Sequence, residues 1–270
     1  MSPGAGAEAA VQALESCLAG IGRLAVAVSG GVDSLTLAAV AHARLGDDAT
    51  MFHAVSPAVP PEATERTRSL ATRFGWRLRV LDAGEFSDPE YLRNPANRCY
   101  FCKSNLYGSI LRHTDAQLVS GTNRDDLGDY RPGLDAAAQR GVRHPYVECG
   151  IDKAGVRAIA ARLGLDEVAG LPAAPCLSSR LETGIRVTPA ALGLVHAVES
   201  AVGQTLQAST VRCRVRSSGV SVELDEAALA RAGAVGPGLR EHVEALCAAR
   251  GYPGTVEFTR YRMGSAFLRD

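Results

Sequence analysis

Residues 24–34, Leu-Ala-Val-Ala-Val-Ser-Gly-Gly-Val-Asp-Ser, constrain the fold more than any other stretch of the chain. Leu24 to Val28 is short, apolar and rich in β-branched side chains, the pattern of a parallel strand buried on both faces. Ser29 to Ser34 follow with no spacer, and Leu35 to Leu45 is a run of good helix formers. The order is therefore strand, glycine turn, helix. Gly30 and Gly31 let the backbone take positive φ and approach a ligand without a Cβ in the way. The helix behind them aims unpaired N–H groups and its positive end at the turn, which favours phosphate. Ser29 and Ser34 add hydroxyl donors, and Asp33 is an acid better suited to Mg²⁺ than to phosphate itself. The plainer alternative is a tight strand-to-helix turn capped by Asp33 or Ser34.

The string is neither GxGxxG nor GxxxxGK[ST]. It resembles the SGGxDS signature of the PP-loop ATP pyrophosphatases, the superfamily of GMP synthetase, NAD synthetase and the tRNA thiolases. Those enzymes split ATP between the α and β phosphates, adenylate an oxygen and release pyrophosphate.

A chain of 270 residues suffices for one large domain or two modest ones. With 46% hydrophobic residues, 21% charged residues and no net charge, the composition is ordinary for a globular protein. No basic excess announces nucleic acid, although a neutral total can hide a basic patch. Residues 1–10 lack the charged start and apolar core of a signal peptide, and no apolar run reaches membrane-spanning length. A cytoplasmic protein is expected. Its seven cysteines are then thiols, metal ligands or catalytic groups before they are disulfides.

Taken in order, Glu8 to Ile21 has the spacing of an amphipathic helix, with Cys17 as packing. Ala49 to Val55 is a second strand, and His53 near its end either borders a bound adenosine or is packed. Glu62 to Phe74 is a helix after a Pro-Pro start, and Trp76 to Leu81 a third strand. Asn94 to Lys103 carries Cys99 and Cys102 as a CxxC between Arg98 and Lys103, a basic setting that favours thiolate. No second CxxC completes a Cys₄ zinc site, and the alternatives are a metal or redox role or an incidental reduced pair.

Gln117 to Gly121 is a fourth strand, followed by Thr122 to Gly133 with three acids and two arginines, a density that suits Mg²⁺ and phosphate. This loop resembles the GTNxxD segment of PP-loop enzymes, and Asp126 and Asp129 are the favoured acids. Val142 to Val147 is a short run, and Ile151 to Leu165 a helix with Lys153 at its start. A lysine there opposes the helix dipole, which points to a ligand role. The segment also resembles the superfamily's K-x-x-V-R helix, whose lysine approaches phosphate. Residues 170–190 form a Pro/Gly-bounded linker containing Cys176, a candidate nucleophile or sulfur carrier four residues before Arg180.

Pro189 to Val202 is a helix, and Ser209–Val215 with Val220–Leu224 a hairpin around Ser217-Ser218-Gly219. Arg212, Arg214 and Arg216 alternate along its first strand and share a face, either a solvated surface or an anion site, with Cys213 turned to the core. Leu239 to Arg250 is a helix with Cys247 packed, and Thr255 to Thr259 a last strand before Tyr261-Arg262-Met263-Gly264-Ser265. The expected fold is α/β. It has a doubly wound, mostly parallel sheet over residues 1–170, a linker over 171–188, and a smaller C-terminal α+β domain over 189–270 for substrate binding or oligomerisation.

SGGVDS, RCYFCK, GTNRDDLGDYRPG, PCLSSR, VRCRVR and YRMGS, in this order, resemble the LarE family of ATP-dependent sulfur transferases of nickel-pincer cofactor synthesis. The resemblance implies that ATP with Mg²⁺ adenylates a carboxylate of pyridinium-3,5-biscarboxylic acid mononucleotide. Sulfur then displaces AMP to leave a thiocarboxylate. It implies a nucleotide site of Ser29, Gly30, Gly31, Asp33, Ser34, Gly121, Thr122, Asp126 and Lys153, with Asp33 and Asp129 on Mg²⁺. It places Arg180, Arg212, Arg214 and Arg262 around the substrate. One branch of the family sacrifices the sulfur of a single cysteine at the Cys176 position. The other has three cysteines, here Cys99, Cys102 and Cys176, thought to hold a [4Fe–4S] cluster with one iron open. The CxxC favours the second branch, and the family implies a homo-oligomer, with a hexamer the suggested form. Where the family often has Pro-Tyr-Gly, this chain has Glu182-Thr183-Gly184.

Three rivals remain. A PP-loop tRNA thiolase needs a basic RNA face and usually an added RNA domain. An amidotransferase-type synthetase leaves three cysteines unexplained. A non-catalytic nucleotide-binding module has no use for Asp33, Lys153 and the acidic loop together.

Overall fold

A computed structural model describes residues 3–128, 131–172, 175–235 and 237–262. The chain divides into two compact units, one of residues 1–88 with 99–174 and one of residues 89–98 with 175–270.

The first unit is α/β. Its sheet is built from β1 (Leu24–Val28), β2 (Ala49–Ala54), β3 (Arg77–Leu81) and β4 (Gln117–Ser120), ordered β3-β2-β1-β4 with every neighbouring pair parallel. Central β1 has all five residues buried, which is why it carries no alternation. Leu24, Val26 and Val28 face a core formed with α1 (Pro3–Ile21), α2 (Val32–Leu45) and α6 (Lys153–Arg162). Ala25 and Ala27 face the opposite core, with Phe52, Leu118 and, from α4 (Arg98–Leu111), Tyr107 and Ile110. α3 (Pro61–Phe74), which ends on Gly75 at φ +70, adds Leu70 and Ala71 to the first core, and α5 (Pro132–Gln139) adds Ala137 to the second. In register, Leu24 pairs with both Ala49 and Gln117, so the carboxyl ends of β1, β2 and β4 finish at one level.

The second unit holds α7 (Pro189–Leu206), β5 (Val211–Arg216), β6 (Gly219–Leu224), α8 (Glu226–Val235), α9 (Pro237–Ala248) and β7 (Glu257–Arg260). β5 and β6 are antiparallel and β7 runs parallel to β6. Thr188 caps α7 through the Ala191 N–H at 3.1 Å, with Pro189 in the first turn. Residues 89–98 are stitched to this unit by Val187 N–H to Leu92 O and Gly184 N–H to Asn94 O, both 2.9 Å. No sequence signal sets that segment apart.

Several boundaries differ from expectation. α2 begins at Val32 rather than Leu35, so Asp33 and Ser34 lie in its first turn. α1 begins at Pro3 and α7 continues to Leu206. The CxxC opens a helix, α4, and α8 had no counterpart in the sequence reading. Val142 to Val147 is not an element: Arg143 bridges Val119 and Pro145 starts a helical turn. Cys17 is half-buried and gives its thiol to Glu148 Oε2 at 3.4 Å, and burial, with Cys149 beside it, pushes it up to about 12. Among the described residues no helix is long and apolar enough to cross a membrane.

Asp225 begins α8 by accepting the Ala228 N–H at 2.9 Å, the Thr210 N–H at 3.0 Å and the Ser209 hydroxyl at 2.9 Å. The Ala228 bond leads in holding its carboxyl down at about 2. A depressed carboxyl stabilises the fold above its unfolded value and ceases to do so as pH falls through its folded one. In urea titrations, the stability advantage of wild type over Asp225→Asn is therefore expected to be full above about pH 4 and to close toward about pH 2.

Candidate functional site

The glycine turn between β1 and α2 is closed by its own side chains. Ser34 Oγ accepts the Ser29 N–H at 3.0 Å, lies 3.1 Å from Ser29 Oγ, and donates to Gly31 O at 3.2 Å. Both hydroxyls are thus engaged in shaping the turn. Gly31 precedes α2 and supplies no side-chain cap to the first-turn N–H groups. Gly30 has φ +81, and a Cβ there would stand 2.6 Å from Ala63 O.

Asp33, one residue into α2, is the centre of charge. Its Oδ2 meets Lys153 Nζ at 2.5 Å and its Oδ1 accepts from Asn123 Nδ2 at 3.1 Å. The partner of Lys153 at the start of α6 is therefore an acid from the glycine turn. Buried Tyr146 donates to Asp33 O at 3.0 Å, and burial raises its phenol well above the usual range. Gly121 ends β4 against this turn: a Cβ would lie 2.9 Å from both Asp33 C and Ser34 N. Thr122 Oγ1 is 3.2 Å from Ser120 Oγ, which reaches His144 Nδ1 at 2.9 Å. Burial lowers the pKa of His144.

The acidic loop divides its labour. Asp126 accepts the Asn123 N–H at 3.0 Å and pairs with Arg131 at 2.8 Å, which fixes the loop that carries Asn123. Asp125, not singled out from sequence, accepts the Lys153 N–H at 3.1 Å. Asp129 lies outside the described residues. His53 is fully buried, with Nδ1 2.9 Å from Val28 O and Nε2 2.9 Å from Thr64 Oγ1, so it is packed.

Cys99 and Cys102 sit near the start of α4, three residues apart and hence on one face. None of the seven cysteines forms a disulfide. Cys176 is in the second unit, at the start of a tight turn over Leu177–Arg180. Among the described residues of either unit no three His, Cys, Asp or Glu side chains gather as a metal site.

Three buried guanidiniums hold the backbone carbonyls of the Cys176 turn. Arg180, 3% exposed, donates to Pro175 O at 2.7 Å and Cys176 O at 3.2 Å, and grips Glu199 with two bonds of 2.9 and 3.0 Å. Arg214, 4% exposed, donates to Ser179 O at 3.1 Å and to Glu223 at 2.9 Å. Arg98, 3% exposed, donates to Ser178 O at 2.9 Å and bonds Asn94, while its Nη2 has no hydrogen-bond partner among the described residues. Arg216 shares Glu223 at 2.9 Å. The solvated-surface alternative for the arginine strand therefore fails at Arg214. Arg212 is partly buried over the Tyr261 ring, and burial, then nearby Arg180, lowers its pKa. Arg262 is exposed, and Met263 to Ser265 lie outside the described residues.

Sequence reasoning missed Glu199, Glu223 and Asn123. Glu223 was legible: in a hairpin turning at Ser217-Ser218 it falls opposite Arg212, on the arginine face. Asn123 lay inside the GTNxxD resemblance without being singled out, and Glu199 carried no local signal.

No protein-family model matches the chain. An uncharacterised protein of Synechocystis sp. is 38% identical over 224 residues, covering 80% of this chain and 82% of that protein. Pyridinium-3,5-bisthiocarboxylic acid mononucleotide synthase of Lactiplantibacillus plantarum is 31% identical over 219 residues, 79% of each chain. An uncharacterised protein of Methanocaldococcus jannaschii is 26% identical over 164 residues, 59% of this chain and 61% of that protein.

Gly121→Ala drives a Cβ into backbone atoms that cannot yield, and a loss of about 1–3 kcal/mol in urea unfolding is expected. Gly20→Ala, in open space within α1, is the control and is expected to be neutral or stabilising. Glu223→Gln leaves two guanidiniums without their shared anion, and the same titration is expected to show a loss of about 3–5 kcal/mol.

Proposed function

The chain belongs to the LarE family, that of pyridinium-3,5-bisthiocarboxylic acid mononucleotide synthase, and on that premise we propose that it is an ATP-dependent sulfur transferase acting on a carboxylate of a pyridinium mononucleotide. The observation that carries the reading is the Asp33–Lys153 pair, 2.5 Å apart at the uncapped start of a helix that follows a glycine turn. A cation and an acid so placed serve the two partners of Mg·ATP: Lys153 for phosphate oxygens, Asp33, with Asp129, for Mg²⁺. The close approach of Gly121 leaves backbone rather than side chain beside that spot, as a phosphate cradle requires.

In the proposed reaction the substrate carboxylate attacks the α phosphorus of ATP and pyrophosphate leaves. A carboxylate is a poor electrophile, and the acyl adenylate makes AMP the leaving group when sulfur attacks. Ser29, Gly30, Gly31, Ser34, Gly121 and Thr122 line the nucleotide, and Asp126 holds the loop beside it. Arg180, Arg212, Arg214 and Arg262 favour the substrate's phosphate. Arg212 and Arg262 are the accessible ones, and Arg180 and Arg214 act from behind the Cys176 turn. Three guanidiniums, those of Arg180, Arg214 and Arg216, pair with two carboxylates, and Arg212 feels the positive charge of Arg180, which supports an anion as ligand.

The thiols fit a [4Fe–4S] cluster by donor type: two stand on one helix face, and Cys99, Cys102 and Cys176 are all outside disulfides. Held by those three, a cluster would supply an iron able to carry a terminal sulfide. The second reading is direct transfer of the Cys176 sulfur, favoured by the tightly held turn on which that cysteine stands. Cytoplasmic location and a homo-oligomer belong to the same proposal.

Pyrophosphate release from ATP on adding pyridinium-3,5-biscarboxylic acid mononucleotide tests the reaction. Release is expected, with a drop of about 10²–10³-fold in Lys153→Met. Release triggered by tRNA instead, or none at all, overturns it. Iron and acid-labile sulfide in anaerobically purified protein decide the sulfur source. About four irons per chain in wild type, lost in Cys99→Ala, support the cluster. Iron-free protein whose Cys176 becomes dehydroalanine during turnover supports direct transfer.

A further inference from the structure

The first two turns of α3 press against the outer side of the glycine turn. Ala63 leaves no room for a Cβ on Gly30, with its own Cβ 2.8 Å from where that atom would stand. Thr64 and His53 secure the strand side. A carbonyl only accepts, so His53 Nδ1 donates to Val28 O and Nε2 accepts from the Thr64 hydroxyl. The N–H of that same Val28–Ser29 peptide donates to Ser34 Oγ, so its plane is fixed from both sides.

The Gly30–Gly31 peptide is held differently. Arg66 Nη1, from the second turn of α3, donates to Gly30 O at 2.7 Å. In a trans peptide the C=O and N–H point in opposite directions, so the Gly31 N–H is aimed away from α3. Both flanking residues are glycines, with no Cβ to resist rotation of the plane between them. A rotated plane would turn a carbonyl oxygen, partially negative, toward the side where a phosphate is to sit. The direction of this one dipole therefore decides whether the turn attracts or repels an anion.

We propose that Arg66 is a positioning residue for the ATP phosphates, fixing the Gly30–Gly31 peptide so that the Gly31 N–H faces the nucleotide. The proposal rests on the reading of the glycine turn as an ATP site. It assigns Arg66 no contact with ATP, and it makes a helix outside the sequence motif part of the phosphate cradle.

Calorimetric titration with ATP, inorganic pyrophosphate and adenosine separates the possibilities in wild type, Arg66→Ala and Arg66→Lys. Arg66→Ala is expected to bind ATP and pyrophosphate about tenfold more weakly and adenosine as wild type does. In steady state its KM for ATP is expected to rise more than its kcat falls. Arg66→Lys keeps a donor for Gly30 O and is expected to recover most of the loss. Should Arg66→Ala not fold, Arg66→Gln, with an N–H donor and no charge, decides by the same ratio of ATP to adenosine affinity. Equal losses for adenosine and ATP, or wild-type ATP affinity in the variant, overturn the proposal and leave the ATP site standing. A wild-type protein that binds neither ATP nor pyrophosphate overturns both.

Discussion

Backbone contact at two glycines sets the terms for the first unit. Gly30 meets Ala63 on one flank of the turn after β1, and Gly121 meets Asp33 and Ser34 on the other. Neither position has space for a single carbon, so strand ends, helix start and neighbouring strand converge on peptide groups. Peptide N–H groups are the natural partners of phosphate, and a side chain at either glycine would push them apart. The five buried residues of β1 anchor this convergence by filling a core on each face of the sheet.

Charge in the two units is handled in opposite ways. Around the glycine turn, one acid and one lysine face each other at the surface end of the sheet, each about a quarter to a third exposed, where a ligand can take either partner. Around Cys176 the guanidiniums are inside. Burying a charge costs several kcal/mol per ion unless it is paired and hydrogen-bonded. Arg180 and Arg214 meet that condition twice over, through a carboxylate and through carbonyls of the turn. The turn is thereby held by groups that cannot relax without exposing an unpaired carboxylate. Arg98, with one nitrogen lacking a partner among the described residues, is the least satisfied of the three.

Much of this was written locally. The buried strand, the glycine turn and the alternating arginines follow from residue type and spacing over fewer than a dozen positions each, and the GTN segment from its resemblance to PP-loop enzymes. The exceptions are instructive. Val142 to Val147 has strand-like residues but contains Pro145, whose ring opens a helical turn. α8 is Ala-rich with little contrast between its faces, so periodicity did not reveal it. His53 was open between a ligand role and packing, and only its two buried hydrogen bonds settled it as packed.

The sequence by itself determined the α/β class, the turn that presents peptide N–H groups, and the kinds of side chain available for chemistry. These depend on steric and hydrogen-bonding preferences that act between near neighbours. Tertiary structure alone decided which charges meet. Asp33 and Lys153 are 120 residues apart, and Arg98 reaches a carbonyl 80 residues away. Such pairings depend on where packed helices and strands end in space, and no local propensity encodes that. The arginine strand shows the boundary most clearly: alternation put Arg212, Arg214 and Arg216 on one face, and only burial against Glu223 and the Cys176 turn made Arg214 an internal brace.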